Sequence, residues 1–341
     1  MSDTNLTTAP EAGAIKRKSA FRRLTEMREF VLGVIVVLAV VILSVSTQYF
    51  LTWQNIRTVL SSMSTDGIIV IGMTILLISG GLDLSVGSVM CLSMVICANL
   101  FKSNGFNPWI AALVALTVCA AIGWVMGMLV TKIKLTHFIV TLCMLGIARG
   151  LVLTLSGGTP ISLVAAMGTV PAFRFLGNGS VVGVPMQVVI FAVLAITADF
   201  LVRRGKIMRL VFYTGSNAKA AIYSGIRTSK ILIGTTMVST VSAGMAGIIY
   251  LSRFSGVPLT AGTGLEMTAI SACVIGGASL TGGKGTILGS VLGLAFMALV
   301  TNAMTMFGVS ARSQDLIRYT ILLSAVALDQ IQQNMAKKRA M

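Results

Sequence analysis

Few side chains in this 341-residue chain could do chemistry. There is one histidine, His137, so a histidine-based metal centre or proton relay lacks a second member. The five cysteines (Cys91, Cys97, Cys119, Cys143 and Cys273) stand singly in apolar runs with no CxxC pair. That pattern reads as small buried hydrophobes, not as a disulfide framework or a zinc site. No nucleophile–base pair is visible, so neither a catalytic residue nor a metal ligand set is expected. What remains are ionisable residues inside apolar stretches, where charge is costly and each needs a reason. Asp83 lies between Gly81 and Ser85 at a Gly-rich break. It reads either as a cap for a helix starting near Ser85 or as a polar group at the bend of a pathway, and the two roles can coexist. Glu266 follows Ala261-Gly262-Thr263-Gly264, and the same cap reading applies. Arg149, followed by Gly150, could neutralise Asp66 or Glu266, or line a path. Asp199 and Arg203 are four apart, and Asp315 and Arg318 three apart, which is the spacing of local helical ion pairs.

Gly282-Gly283-Lys284-Gly285 resembles a phosphate-binding loop at first glance. Ala278 stands where that motif needs its first glycine, Gly285 stands where it needs Ser or Thr, and no strand precedes it. Nucleotide binding by this chain is rejected. Any ATP and magnesium is expected in another polypeptide, so no cofactor is expected here.

The elements that must hold these residues follow from composition. Hydrophobic residues make up 55% of the chain and charged residues 11%, yet the net charge is +16. A soluble domain carries about 25% charged residues, so this is an all-α polytopic membrane protein, not a nucleic-acid-binding one. The first 28 residues are polar and basic, so no cleaved signal peptide is expected. Runs of about 20 mostly apolar residues predict about ten transmembrane helices, at 30–48, 59–79, 86–101, 109–130, 138–155, 183–202, 231–251, 265–280, 286–305 and 315–331. The third and eighth are short and abut Gly-rich breaks. With both termini cytoplasmic, 19 of the 26 basic residues fall in inner segments and 6 in outer ones. That is the asymmetry of the positive-inside rule, with an added attraction to anionic lipid. The expected organisation is a cytoplasmic tail at 1–28, a transmembrane domain at 29–332 and a cytoplasmic C-terminal tail at 333–341.

Glycines recur at four-residue spacing, as in Gly123/Gly127, Gly146/Gly150 and Gly285/Gly289/Gly293. They predict close helix packing, and the last set also suits a subunit interface. Two breaks look related: 79–88, with Gly80, Gly81, Asp83, Ser85 and Gly87, and 275–285, with Gly276, Gly277 and Lys284. Paired interruptions of this kind mark the working region of transporters. The largest inner segment, 203–230, carries seven basic residues. Within it, 218–225 reads as a short helix capped by Ser216 or Asn217 and ended by Gly225. A short helix with small residues suits docking into a groove on a partner.

The chain resembles, end to end, the permease subunits of ribose-type ABC sugar importers, in the binding-protein-dependent permease family that also holds branched-chain amino acid permeases. The resemblance is carried by Gly72-Met73-Thr74, Gly81 to Ser88, Arg149-Gly150, Asn217 to Ile226, Ala261 to Glu266, and Gly276 to Gly285. It implies an inner-membrane subunit paired with a second permease copy or a sister permease, two ATP-binding subunits beneath and a periplasmic sugar-binding protein above. It implies that Asn217, Ala220, Ala221, Ser224, Gly225 and Ile226 form the coupling segment. The family usually has an acidic residue where Lys219 stands, and ribose permeases usually have an aspartate near Met267-Thr268. A branched-chain amino acid permease is the nearest alternative. An ion-coupled secondary transporter would need more paired intramembrane acids or histidines than the chain offers.

Overall fold

The computed structural model describes residues 28–340, so the predicted basic tail lies almost wholly outside the described residues. The chain runs α1 (Arg28–Ser46), α2 (Trp53–Ile78), α3 (Val86–Asn104), α4 (Pro108–Lys132) and α5 (His137–Ser156). There follow β1 (Ile161–Ser162), α6 (Val164–Met167), α7 (Pro171–Asn178), β2 (Ser180–Val181) and β3 (Val184–Pro185). Then come α8 (Met186–Arg204), α9 (Lys206–Ser216), α10 (Ala218–Tyr223), α11 (Thr228–Phe254) and β4 (Gly256–Val257). The chain closes with α12 (Leu265–Ile275), α13 (Ile287–Met306) and α14 (Ala311–Ala340).

Among the described residues, seven helices (α1, α2, α4, α5, α8, α11 and α13) are long and apolar enough to cross a membrane. The other three predicted spans differ. The apolar part of α3, Val86–Lys102, is shorter, and α12 stops at Ile275, five residues before the predicted end. α14 carries Asp315, Arg318 and Asp329, and it runs unbroken through the predicted C-terminal tail.

Local chemistry explains the helix ends. Pro108 and Pro171 open α4 and α7, where a missing N–H costs nothing. Thr52, Asn107 and Thr286 accept backbone N–H bonds as caps of α2, α4 and α13. Arg203 and Arg204 sit in the last turn of α8, and Asp199 pairs with Arg203 at 2.6 Å, as its spacing predicts.

The core is α2, α3 and α11. The second half of α2 and most of α3 are buried, and α11 packs across α2, α3 and α4. α1 turns Val37, Val41, Ile42 and Val45 outward, a face suited to lipid tails. Call the end where α1 begins the near end and the end where it stops the far end. At the far end, β1 pairs antiparallel with β4 through Ile161↔Val257, joining the two long far-end segments. Ser252 Oγ donates to Phe173 O at 2.8 Å, and Trp109 meets the Phe173 ring edge-on at 5.4 Å.

The four-residue glycine sets divide. A Cβ on Gly123 or Gly127 would stand 2.7 Å from the Cα of Met237 or Ile233 on α11. Gly289 and Gly293 lie against the carbonyls of Gly276 and Ala272, so these two pack α13 onto α12. A Cβ on Gly146 or Gly150 would meet nothing within 4 Å among the described residues. Accordingly, Gly123→Leu should destabilise the purified protein by about 1–3 kcal/mol through overpacking, whereas Gly146→Leu should leave thermal unfolding in detergent unchanged.

Candidate functional site at two breaks in the bundle

Both Gly-rich breaks begin with the same backbone device. α2 ends in a Schellman turn: Gly81 N donates to Leu76 O at 3.0 Å and Gly80 N to Leu77 O at 2.9 Å, with Gly80 at φ +87°. α12 ends likewise: Ala278 N donates to Cys273 O and Gly277 N to Val274 O, both at 2.9 Å, with Gly277 at φ +92°. Gly80 therefore corresponds to Gly277, and the register expected from the two Gly-Gly pairs is displaced by one residue. Gly276 precedes the turn and packs on Gly289 of α13.

The two breaks then meet at the near end. Gly283 N donates to Ile78 O at 2.9 Å. A Cβ on Gly282 would lie 2.8 Å from Gly215 O and 2.9 Å from Gly80 Cα. One on Gly283 would lie 2.7 Å from Ser216 Cα, and one on Gly215 would collide with Ile78 O. Three segments far apart in sequence thus touch backbone to backbone. The third ends at Ser216, directly before Asn217. Lys284 points outward and takes no part in the contact.

Asn217 Oδ1 accepts the Ala220 N–H at 3.0 Å and caps α10, and Gly225, at φ +80°, turns the chain out. Ala221 is buried beneath the helix, while Ile222 and Tyr223 are 55% and 90% exposed. Asn217, Ala220, Ser224 and Ile226 line a groove of about 490 Å³ beside Tyr213. The helix predicted at 218–225 is therefore present. α9, amphipathic, is packed directly before it.

From Gly81 the first break climbs into the bundle. Asp83 is fully buried; its Oδ1 accepts Ser85 N–H at 2.8 Å and Ser85 Oγ–H at 2.6 Å, and its Oδ2 accepts Ser239 Oγ–H at 2.9 Å. Ser239 is near the midpoint of α11, so α3 starts deep in the bundle. Here Asp83 is the turn former and ties the break to α11. Gly87, in the first turn of α3, meets Gly262 backbone to backbone, and Glu266 Oε2 lies 3.0 Å from the position of a Gly87 Cβ. Arg149 Nη1 donates to Leu259 O at 2.8 Å and Ala261 O at 3.2 Å. It holds the descending 258–264 segment by its carbonyls and forms no ion pair with Asp66 or Glu266. The candidate residues thus form two groups. Gly80, Gly81, Gly276, Gly277 and the coupling segment gather at the near end, and Asp83, Ser85, Gly87, Arg149 and Glu266 gather at mid-bundle.

Sequence reasoning missed a far-end cavity of about 360 Å³ between α2, α12, α13 and α14. Its polar wall includes Thr58, Ser62 and Asp66, which repeat every four residues along α2, and Thr301 and Thr305 on α13. That spacing was the available signal. Among the described residues no group of three or more His, Cys, Asp or Glu could hold a metal ion. The cysteines are unbridged; four are buried and Cys143 is exposed, which corrects the expectation for that one.

Long apolar helices with outward aliphatic faces, enclosing irregular backbone, define a multi-pass integral membrane protein. Residues 55–326 match the family model described as branched-chain amino acid transport system / permease component, and the chain belongs to that family. It is 33% identical over 290 residues to the ribose import permease protein of Escherichia coli strain K12, covering 85% of this chain and 90% of that one. It is 35% identical over 312 residues to the L-arabinose ABC transporter permease protein of Azospirillum brasilense (91% and 89% covered), and 31% over 305 residues to the D-allose transport system permease protein of Escherichia coli K12 (88% and 91%). No solved structure matches. Permease subunits of this family are transport components, not enzymes.

Replacing Asp83 tests its role as turn former. Asp83→Ala strands three buried donors and should cost about 2–4 kcal/mol in thermal unfolding. Asp83→Asn keeps an acceptor for Ser85 and a donor for Ser239 and should cost about 1 kcal/mol or less.

Proposed function

We propose that this chain is the permease subunit of an ATP-driven, binding-protein-dependent importer of a monosaccharide or related sugar. The observation that carries the reading is the near-end junction, where the segment leading into α10 touches both helix breaks. A partner that moves α10 thereby moves the residues that end α2 and precede α13. The substrate class rests on relatives named for ribose, D-allose, L-arabinose and fructose. Those names favour a sugar over the amino acids in the family description.

In this reading α3, α12 and α14 join the seven long helices as ten spans, with both termini and the near end cytoplasmic. Residues 1–28 and 333–341 flank the permease domain as basic segments. The protein sits in the bacterial inner membrane and pairs with a second copy or a sister permease. A separate ATPase subunit holds ATP and magnesium and docks on α10 through Ile222 and Tyr223. The far-end loops, fastened by β1 and β4, face a periplasmic sugar-binding protein. Transport is alternating access: drawing the two α10 helices together rocks the spans around the path.

Uptake in proteoliposomes should require both the ATPase and the binding protein; uptake driven by an ion gradient alone would refute the reading. Ile222→Ser combined with Tyr223→Ala removes mainly exposed side-chain surface. It should cut copurification of the ATPase at least tenfold without changing the permease melting temperature. Bulky residues at Ala221 are a poorer test, because that side chain is buried.

A further inference from the structure

We propose that the far-end cavity between α2, α12, α13 and α14 is a solute site for a neutral polyhydroxylated molecule, a stop on the transport path within one permease. The proposal rests on the sugar-importer reading above and deepens it. Its volume, about 360 Å³, falls in the range of small-molecule sites, about 300–1,000 Å³.

The chemistry of the walls separates this cavity from ordinary helix packing. Hydroxyls on these helices mostly donate back to the carbonyl one turn earlier, as Thr58, Ser64, Thr65 and Thr74 do. Ser62 and Thr301 line the cavity and make no such bond, so both keep a donor and lone pairs for something else. The Asp66 carboxylate forms no hydrogen bond among the described residues and stands on the same wall. Across from it, Arg318 spends Nη1 on Asp315 at 3.2 Å, while its buried Nε has no partner. Leu294 and Met297 supply an apolar floor.

A sugar meets all of these demands. Each of its hydroxyls both donates and accepts, so it can donate to Asp66, accept from Arg318 and exchange bonds with Ser62 and Thr301. Its C–H face can lie on the Leu294 and Met297 side. One carboxylate and one guanidinium leave the site close to neutral, so it selects against ions of either sign. Loosely spaced, flexible donors suit brief occupancy during transport.

The test uses the complete complex in proteoliposomes with D-ribose, D-allose, L-arabinose and D-fructose as probes, following whichever the wild type imports fastest. Ser62→Leu and Thr301→Leu fill the cavity and should each lower ATP-driven uptake at least tenfold, while binding-protein-stimulated ATP hydrolysis stays within twofold. The smaller changes Ser62→Ala and Thr301→Val should alter the order of preference among the four sugars. Unchanged uptake in the leucine variants overturns the site. So does a parallel loss of uptake and ATP hydrolysis that persists in the smaller variants, which would mark the residues as structural. ATP-driven leucine uptake that depends on Asp66 and Arg318 overturns the ligand class. A wild-type complex that hydrolyses ATP yet moves none of the four sugars defeats the importer reading itself, and this site with it.

Discussion

Irregular backbone inside an apolar bundle must find its hydrogen-bond partners within the protein, because lipid offers none. The rest of this structure depends on how that demand is met. α2 ends at Ile78 and α12 at Ile275, and the segments after them carry amides and carbonyls into the interior. The Schellman turns at Gly80 and Gly277 absorb the first of these groups. Asp83 absorbs the next, binding the Ser85 amide and hydroxyl on one oxygen and the Ser239 hydroxyl on the other. Arg149 does the same for the far-end segment by taking up the carbonyls of Leu259 and Ala261. The charges that look anomalous in the sequence are therefore the groups that make broken helices tolerable in this setting.

The local part of this arrangement was legible in the sequence. Apolar runs located seven of the long helices within a few residues, because a span needs only length and hydropathy. Asn217 capping α10, the pairing of Asp199 with Arg203 and the turn made by Asp83 all follow from spacing within one helical turn. Each is a contact whose two partners sit close in the chain.

The remainder depends on contacts between distant segments, which leave no periodic trace. In sequence, Arg149 suits either a carboxylate partner or a place along a path, but its partners are main-chain carbonyls about 110 residues away, and a carbonyl has no residue type to search for. The glycine sets at 123/127 and 146/150 look alike in sequence, yet only the first has a neighbouring backbone to receive. The two breaks match in sequence on their Gly-Gly pairs, whereas in conformation they match on the left-handed residue, second of the pair in one break and first in the other. The cavity wall was written at 58, 62 and 66 all along. The signal is weak because hydroxyls in a transmembrane helix usually bond to their own helix.

The near-end junction has a mechanical consequence. Side chains deform easily: rotating one bond lets a packed methyl yield by an ångström or more. Gly215, Gly282 and Gly283 present no such cushion where they meet Gly80, Ile78 and Ser216. A joint of main chain against main chain has little compliance, so displacement on one side reappears on the other almost undiminished. Adding even one carbon there would insert a spring into a linkage that works by being short.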